Sequence, residues 1–349
     1  MTTFDAREFP LNRPAKLIAA LPAILGFVPE KSMVLVTIER GELGCVMRAD
    51  LGGDTFGRAV HMADVAAASS PDSAVLVIID EDGATCQMCS DDHRELAGAV
   101  GDALDAHGIE LWAAHVVDRV ALGGRWHCAD GCGNNGSVDD PSSSPLALAA
   151  VLDGRPLFAN RNELVDVIAV SDSARADGLG ELIERVAHAG EDRPAVEARR
   201  DVERAMTAAD DLAEGRLVTD DDVARLACSL TDPRVRDTLY ALAVGSTGEV
   251  VEALWALMAR ALPDPWRVEV LVLLAFSAYV RGDGPLAGVS LEAALRGNPQ
   301  HKMAGMLDQA LQSGMRPEKI RELARTGYRL ARRIGVQLPP RREFGRRAG

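Results

Sequence analysis

Between residues 17 and 51 the hydrophobic positions change period twice. Leu17, Ile18, Leu21, Ile24 and Leu25 recur at helical spacing along one face. Pro14 suits the first turn of such a helix, Pro22 falls inside it and predicts a kink, and Gly26 is placed to end it. Met33 to Ile38 is then a nearly continuous apolar run. Its length and β-branched content predict a central strand. Arg40-Gly41 begins a turn, and Cys45 to Asp50 returns as a second strand whose alternation puts Arg48 and Asp50 on one face. Those two side chains read either as an ion pair at the rim or as an arginine poised for an anion.

The same reading carries on through the first half. Residues 56–69 form an alanine-rich helix, 74–80 a buried strand ending in Asp80-Glu81-Asp82, 91–107 a helix, 109–118 a strand and 125–127 a short strand. Residues 129–145 read as one long polar loop. A short helix follows over 146–152, and Asn160 with Glu163 predicts a capped helix over 161–169. Strands and helices in this order predict an α/β domain, a mixed sheet with flanking helices, over 1–170.

Residues 171–180 are small and polar and predict a linker. Beyond it every periodic segment is helical, which predicts an all-α domain over 181–335. Leu274, Ala275 and Ala278, the Gly282-Asp283 turn, then Ala287, Leu291, Ala294 and Pro299 fit one tetratricopeptide-like helical hairpin; the flanking segments share only its rhythm. Thr219 before Asp220-Asp221-Asp222 reads as a helix cap. The prolines, glycine and arginines of 336–349 predict a flexible basic tail.

Composition narrows the class. Hydrophobic content of 47% with mean hydropathy near zero describes a globular protein. No apolar run reaches the roughly 18–20 residues of a membrane span; the longest, Val268 to Val280, contains Glu269. MTTFDAREF has neither the basic nor the apolar region of a signal peptide, so the expected location is the cytoplasm, with the six cysteines as thiols or metal ligands. The net charge of −14 argues against general nucleic-acid binding. It is uneven, however: residues 316–349 hold eleven Lys/Arg against three Glu, a local +8 beside −22 in the rest.

Candidate chemistry is sparse. Cys86-x-x-Cys89 and Cys128-x-x-x-Cys132 each follow a predicted strand, and four thiols from two loops suit a tetrahedral zinc, with His93 or His127 as substitutes for a thiol; unrelated reduced cysteines are the simpler reading. Cys86 and Cys89 alone are a possible redox pair, but the helix expected to start at 91 leaves them outside its first turn. Residues 131–136 match GxGxxG literally, yet no helix follows to receive a pyrophosphate, and Gly245-Ser246-Thr247-Gly248 joins two helices rather than forming a nucleophile elbow. Asp80, Glu81 and Asp82 read as a solvated strand end or a Mg²⁺ site. His61, His107, His115 and His188 stand alone.

LPAILGFVPEKSMVLV followed by MRADL resembles the actinobacterial domain-of-unknown-function 4192 family. Arg125-Trp126 with Cys128 and Cys132, Gly154-Arg155, Arg161-Asn162-Glu163-Leu164 and Gly282-Asp283 add to the resemblance. The family tends to carry a double cysteine and a proline where this chain has Cys132-Gly133-Asn134. The resemblance implies a fold and no activity.

The reading that follows is a non-enzymatic adaptor or ligand-binding protein, its helical domain holding a protein partner and its sheet docking or sensing a ligand. It requires no cofactor and allows a structural zinc on Cys86, Cys89, Cys128 and Cys132. One alternative is a hydrolase or phosphate-processing enzyme at the strand ends, with Arg48, Asp50, Asp80, Asp118, Arg125 and Arg161 as the polar site. The other is nucleic-acid association through the basic tail.

Overall fold

The computed structural model describes residues 13–152, 155–187, 194–342 and 344. The N-terminal segment 1–12, Gly154, His188, Glu343 and residues 345–349 lie outside the described residues. The chain divides into an α/β unit, which runs to Glu163 and also takes in Gln312–Gly314, and a helical unit over Leu164–Leu311 and Met315–Phe344.

In the α/β unit, α1 (Pro14–Leu25) starts on its proline, runs through Pro22, and ends on Gly26 at φ 76°, a left-handed conformation that glycine adopts without a Cβ penalty. β1 (Ser32–Glu39) and β2 (Glu42–Asp50) form a hairpin. Arg40 and Gly41 both take positive φ there, as a two-residue turn matched to strand twist requires. The order continues with α2 (Thr55–Ala67), β3 (Ser73–Ile79), α3 (Gln87–Asp105), β4 (Glu110–Val117), β5 (Arg125–Cys128), β6 (Asn135–Ser137), α4 (Pro145–Leu152) and α5 (Arg161–Asp166).

The six strands form one mixed sheet in the order β2-β1-β3-β4-β5-β6. Only β3 and β4 are parallel, and α3 is the crossover such a pair needs. β1 and β3 are central and buried on both faces, so their sequences are continuous apolar runs. Met33, Leu35, Leu76, Ile78 and Val116 turn to the face covered by α2 and α3. Ala59, Ala63 and Ala66 bring α2 close to that face, and each buried Leu or Ile there stabilises the fold by about 1.5–3 kcal/mol. The segment read as one loop over 129–145 contains β6 and a short 3-10 turn, Pro141–Ser143. Three residues without an apolar period leave no strand signature, and β6 exists by pairing with β5.

The helical unit contains α6 (Ser173–Ala187), α7 (Ala195–Ala213), α8 (Asp220–Ser229), α9 (Pro233–Leu239), α10 (Gly248–Ala261), α11 (Arg267–Arg281), α12 (Gly284–Gly297), α13 (Lys302–Gln312), α14 (Pro317–Arg321) and α15 (Ala324–Ile334). The expected linker 171–180 is helical instead. It supplies the first turns of α6, whose Ala176, Leu179 and Ile183 are buried at helical spacing. α11 is buried from Val270 to Val280, which explains its apolar run: it is a central helix. It turns at Gly282, φ 90°, into α12. Thr219 and Asp222 close a reciprocal capping box on α8.

The tail differs from expectation over its described part. Residues 339–342 lie on the helical unit: Ser246 N–H donates to Pro340 O (2.9 Å), Arg342 N–H to Val244 O (2.9 Å) and Tyr328 Oη–H to Pro339 O (3.0 Å). Prolines keep their carbonyls, so a Pro-Pro segment still accepts hydrogen bonds along an exposed backbone edge. No helix among the described residues is long and apolar enough to cross a membrane.

Candidate functional site

Strand register decides where the charged strand ends go. Ser32 pairs with Asp50 on one side and Ile79 on the other; Ile79 pairs with Val117, and Val117 with Trp126. Asp50, Asp80, Asp118 and Arg125 therefore follow one another along the same end of the sheet, with Arg48 one side-chain repeat further in. They do not converge. Asp50 and Asp118 stand three inter-strand steps apart, about 14 Å at the usual strand spacing. Arg161 opens α5, just beyond the Phe27–Phe158 bridge that ties this segment to the end of α1.

Along that end each group has a local partner. Arg48 pairs with Asp50, lies 5.6 Å from the Phe27 ring centroid, and keeps its Nε buried. Lys31 and Asp82 meet at 3.0 Å in solvent, a pair worth little. Asp80 meets His93 Nε2 at 3.1 Å. Asp118 accepts from the N–H groups of Arg119 (2.6 Å) and Arg125 (2.8 Å), so its carboxylate holds the β4–β5 turn. Glu163 likewise serves structure: its N–H donates to Asn160, and its carboxylate accepts from the N–H of Ala159.

The thiols separate into two sites. Cys86 is the N-cap of α3, whose first residue, Gln87, is four residues ahead of the start read from sequence; the CxxC pair does open a helix. The Cys86 thiol is held below its usual range, first by the Cys89 N–H, then by the Cys89 thiol and the Met88 N–H. The Cys89 thiol is raised, chiefly by its contact with Cys86. The chain beyond Cys89 brings His93, buried, against Asp80.

Cys128 and Cys132 lie on the β5–β6 hairpin. His127 pairs with Val116 and Ala129 packs in the α2–α3 core, so alternation turns Cys128 to the opposite face of the sheet. Among the described residues Cys86 and Cys89 do not gather with Cys128 and Cys132. The group that does gather, among the described residues, is Cys128, Asp130 and Cys132, whose ligand atoms all lie within 4.8 Å of one another. His115 on β4 faces Cys128 in register, its Nδ1 3.7 Å from Sγ. Burial lowers the His115 imidazole to about 4, so it is neutral at pH 7; burial and then the Cys132 thiol push Cys128 up to about 12. Asp130 accepts the Cys132 N–H at 2.9 Å. From sequence Asp130 carries no site expectation and His115 stands alone. The Cys-x-Asp-x-Cys spacing was a signal for the first, whereas the second needed strand register.

A second charged feature sits on the helical unit. Arg325, Arg329, Arg332 and Arg333 recur at i, i+4, i+7 and i+8 on α15, all exposed, while Ala324, Gly327, Ala331 and Ile334 face inward. Arg329 bonds Thr326 Oγ1 at 2.9 Å, and none of the four pairs with a carboxylate among the described residues.

These features sit on an α/β sheet unit joined in one chain to a helical unit. Residues 14–318 match the family model described as a domain of unknown function, DUF4192. The chain belongs to that family. No curated protein and no solved structure matches it.

Proposed function

We propose that the protein is a non-enzymatic adaptor whose helical unit docks an acidic protein segment on α15. The observation that carries this reading is the stripe of four exposed arginines without a carboxylate partner among the described residues, on a chain of net charge −14. Elsewhere on the chain several surface cations meet acids, as Arg225 meets Asp221 and Arg216 meets Asp211. A stripe left unpaired retains its charge for an incoming partner. From Arg325 to Arg333 it runs about 12 Å along the helix axis, a length suited to a short peptide. The −22 carried outside residues 316–349 opposes a long polyanion, which favours the acidic segment over nucleic acid.

The strand ends support the same choice. A hydrolytic centre needs a nucleophile or base and a charge stabiliser around one reacting atom. Here the candidate groups are spread along the sheet and paired with near neighbours or turn amides. The sheet is then the docking module, and an α11–α12 hairpin of tetratricopeptide-like pattern forms the centre of the partner-binding unit. Cytoplasmic location belongs to this reading.

The test is a titration of the full chain against a fluorescent glutamate-rich peptide and a short DNA duplex at two salt concentrations. The peptide is expected to bind with a clear salt dependence. Arg329→Glu with Arg332→Glu should weaken it by about tenfold or more, because two attractions become repulsions. Peptide binding indifferent to the double substitution, or duplex binding stronger than peptide binding, overturns the proposal.

A further inference from the structure

We propose that the β5–β6 hairpin is a metal site in which Cys128, Cys132, Asp130 and His115 hold one zinc-class divalent ion. It differs from the four-cysteine arrangement expected from sequence and is independent of the adaptor reading. Two thiolates, a carboxylate oxygen and a neutral imidazole are a donor set that zinc takes, and four is its usual coordination number. In a tetrahedral site with metal–sulfur bonds of about 2.3 Å and metal–nitrogen bonds of about 2.0 Å, neighbouring donors lie about 3.5–3.8 Å apart. His115 Nδ1 and Cys128 Sγ already stand at 3.7 Å. The ligand atoms of Cys128, Asp130 and Cys132, within 4.8 Å of one another, need to close by about an ångström or less, and the exposed tip must also carry Asp130 and Cys132 in towards His115.

The parts differ in rigidity in the way a loading site requires. His115 is 5% exposed on a central stretch of β4 and stacks edge-to-face on Trp126, with ring centroids 5.3 Å apart. Its ring is therefore fixed before any ion arrives. Cys132 and Asp130 are exposed on the hairpin tip, where Gly131 and Gly133 take φ of 75° and 85°. Those glycines let the tip fold back so that the Cys132 sulfur reaches Cys128. One Asp130 oxygen accepts the Cys132 N–H, which orients the carboxylate and leaves the other oxygen for the ion. Binding releases the two thiol protons to solvent, and no electron is transferred.

The hairpin explains the division of labour between the cysteine pairs. Cys86 and Cys89 open α3 and are outside the group of ligand atoms that gathers on the hairpin, so they take no part.

The experiment uses the full chain purified under reducing conditions, loaded with Zn²⁺ and passed over a chelating resin, then analysed for metal. Co²⁺ is the spectroscopic probe. About one equivalent of zinc is expected, and Co²⁺ should give a thiolate-to-cobalt charge-transfer band with intense tetrahedral visible bands. Cys132→Ser, at an exposed position that does not threaten the fold, should reduce the charge-transfer band to that of one thiolate and weaken Co²⁺ binding by about tenfold or more. Asp130→Asn should weaken binding with the band retained. Cys89→Ser should change neither stoichiometry nor spectrum. The proposal is overturned by a metal-free chain without a cobalt spectrum, by a Cys128–Cys132 disulfide in the reduced preparation, by Co²⁺ affinity and charge-transfer intensity unchanged in Cys132→Ser, or by metal lost in Cys89→Ser.

Discussion

Gly327 determines how closely α15, and with it the arginine stripe, approaches the helices beneath it. A Cβ built at Gly327 falls 2.7 Å from Ala241 Cβ, 2.9 Å from Asp237 O and 3.0 Å from Thr238 O. Ordinary contacts begin near 3.4 Å, so α15 must lift by several tenths of an ångström or more. Two of the three obstacles are backbone carbonyls, which cannot rotate away. Gly327→Ala relieves the glycine penalty inside a helix, about 1 kcal/mol, but overpacking against backbone costs about 3 kcal/mol, the upper end of the usual range. The net expectation is a loss of about 2 kcal/mol, equivalent to a melting midpoint about 4–8 °C lower for a unit of this size. Gly305 in α13 is the control, since nothing lies within 4 Å of its Cβ position. Gly305→Ala should gain up to about 1 kcal/mol from propensity alone. Both are read by urea denaturation of the full chain followed by circular dichroism. If α15 presents the stripe, Gly327→Ala should also weaken acidic-peptide binding without altering any charge. A Gly327→Ala chain as stable as Gly305→Ala would refute the close packing of α15.

Two further outcomes follow from the electrostatics. Cys86 should be alkylated ahead of Cys89 by iodoacetamide, with its reaction setting in at a lower pH, because its thiol is lowered and that of Cys89 raised; peptide mapping that finds Cys89 first would contradict the helix-start geometry. Glu269 on α11 meets His301 at 3.2 Å and Arg236 at 3.3 Å. Burial pushes its carboxyl up, but these partners outweigh burial and leave it below the ordinary 4.5. A lowered carboxylate contributes stability above its unfolded pKa and loses it as pH falls through the folded value. Acid titration of the helical unit should therefore show a loss beginning near pH 4.5 that Glu269→Gln removes, at a cost of about 2 kcal/mol at pH 7. An unchanged acid profile in that variant would exclude the pair as a source of stability.

Much of the fold was legible because short-range physics sets it. Periods of two and near four marked the buried strands and the helices, and Gly26, Gly41, Thr219 and Gly282 marked turns and caps through local backbone requirements. The errors also have local causes. The start of α3 was placed at the first charged residues, while the chain begins the helix at Cys86-Gln87. Residues 171–180 looked like a linker because their small residues pack without large apolar side chains. β6 has no pattern of its own, and the arginine-rich end at 339–342 is held by backbone hydrogen bonds that leave no trace in residue type.

The sequence by itself determined the family, the division into a sheet half and a helical half, the charge asymmetry and the stock of cysteines. What only the tertiary structure decided is which of those residues meet. His115 and Cys128 are thirteen positions apart and become neighbours through the β4–β5 register. Cys128 turns away from the face that α2 and α3 cover because successive side chains on a strand alternate between Val116-paired His127 and core Ala129. The four arginines of α15 are a stripe by helical period, but only packing shows that this face is the outer one. Residue type and local period are properties of neighbours along the chain, whereas register and face depend on which distant strand or helix is paired, and a one-residue slip would reverse every side chain.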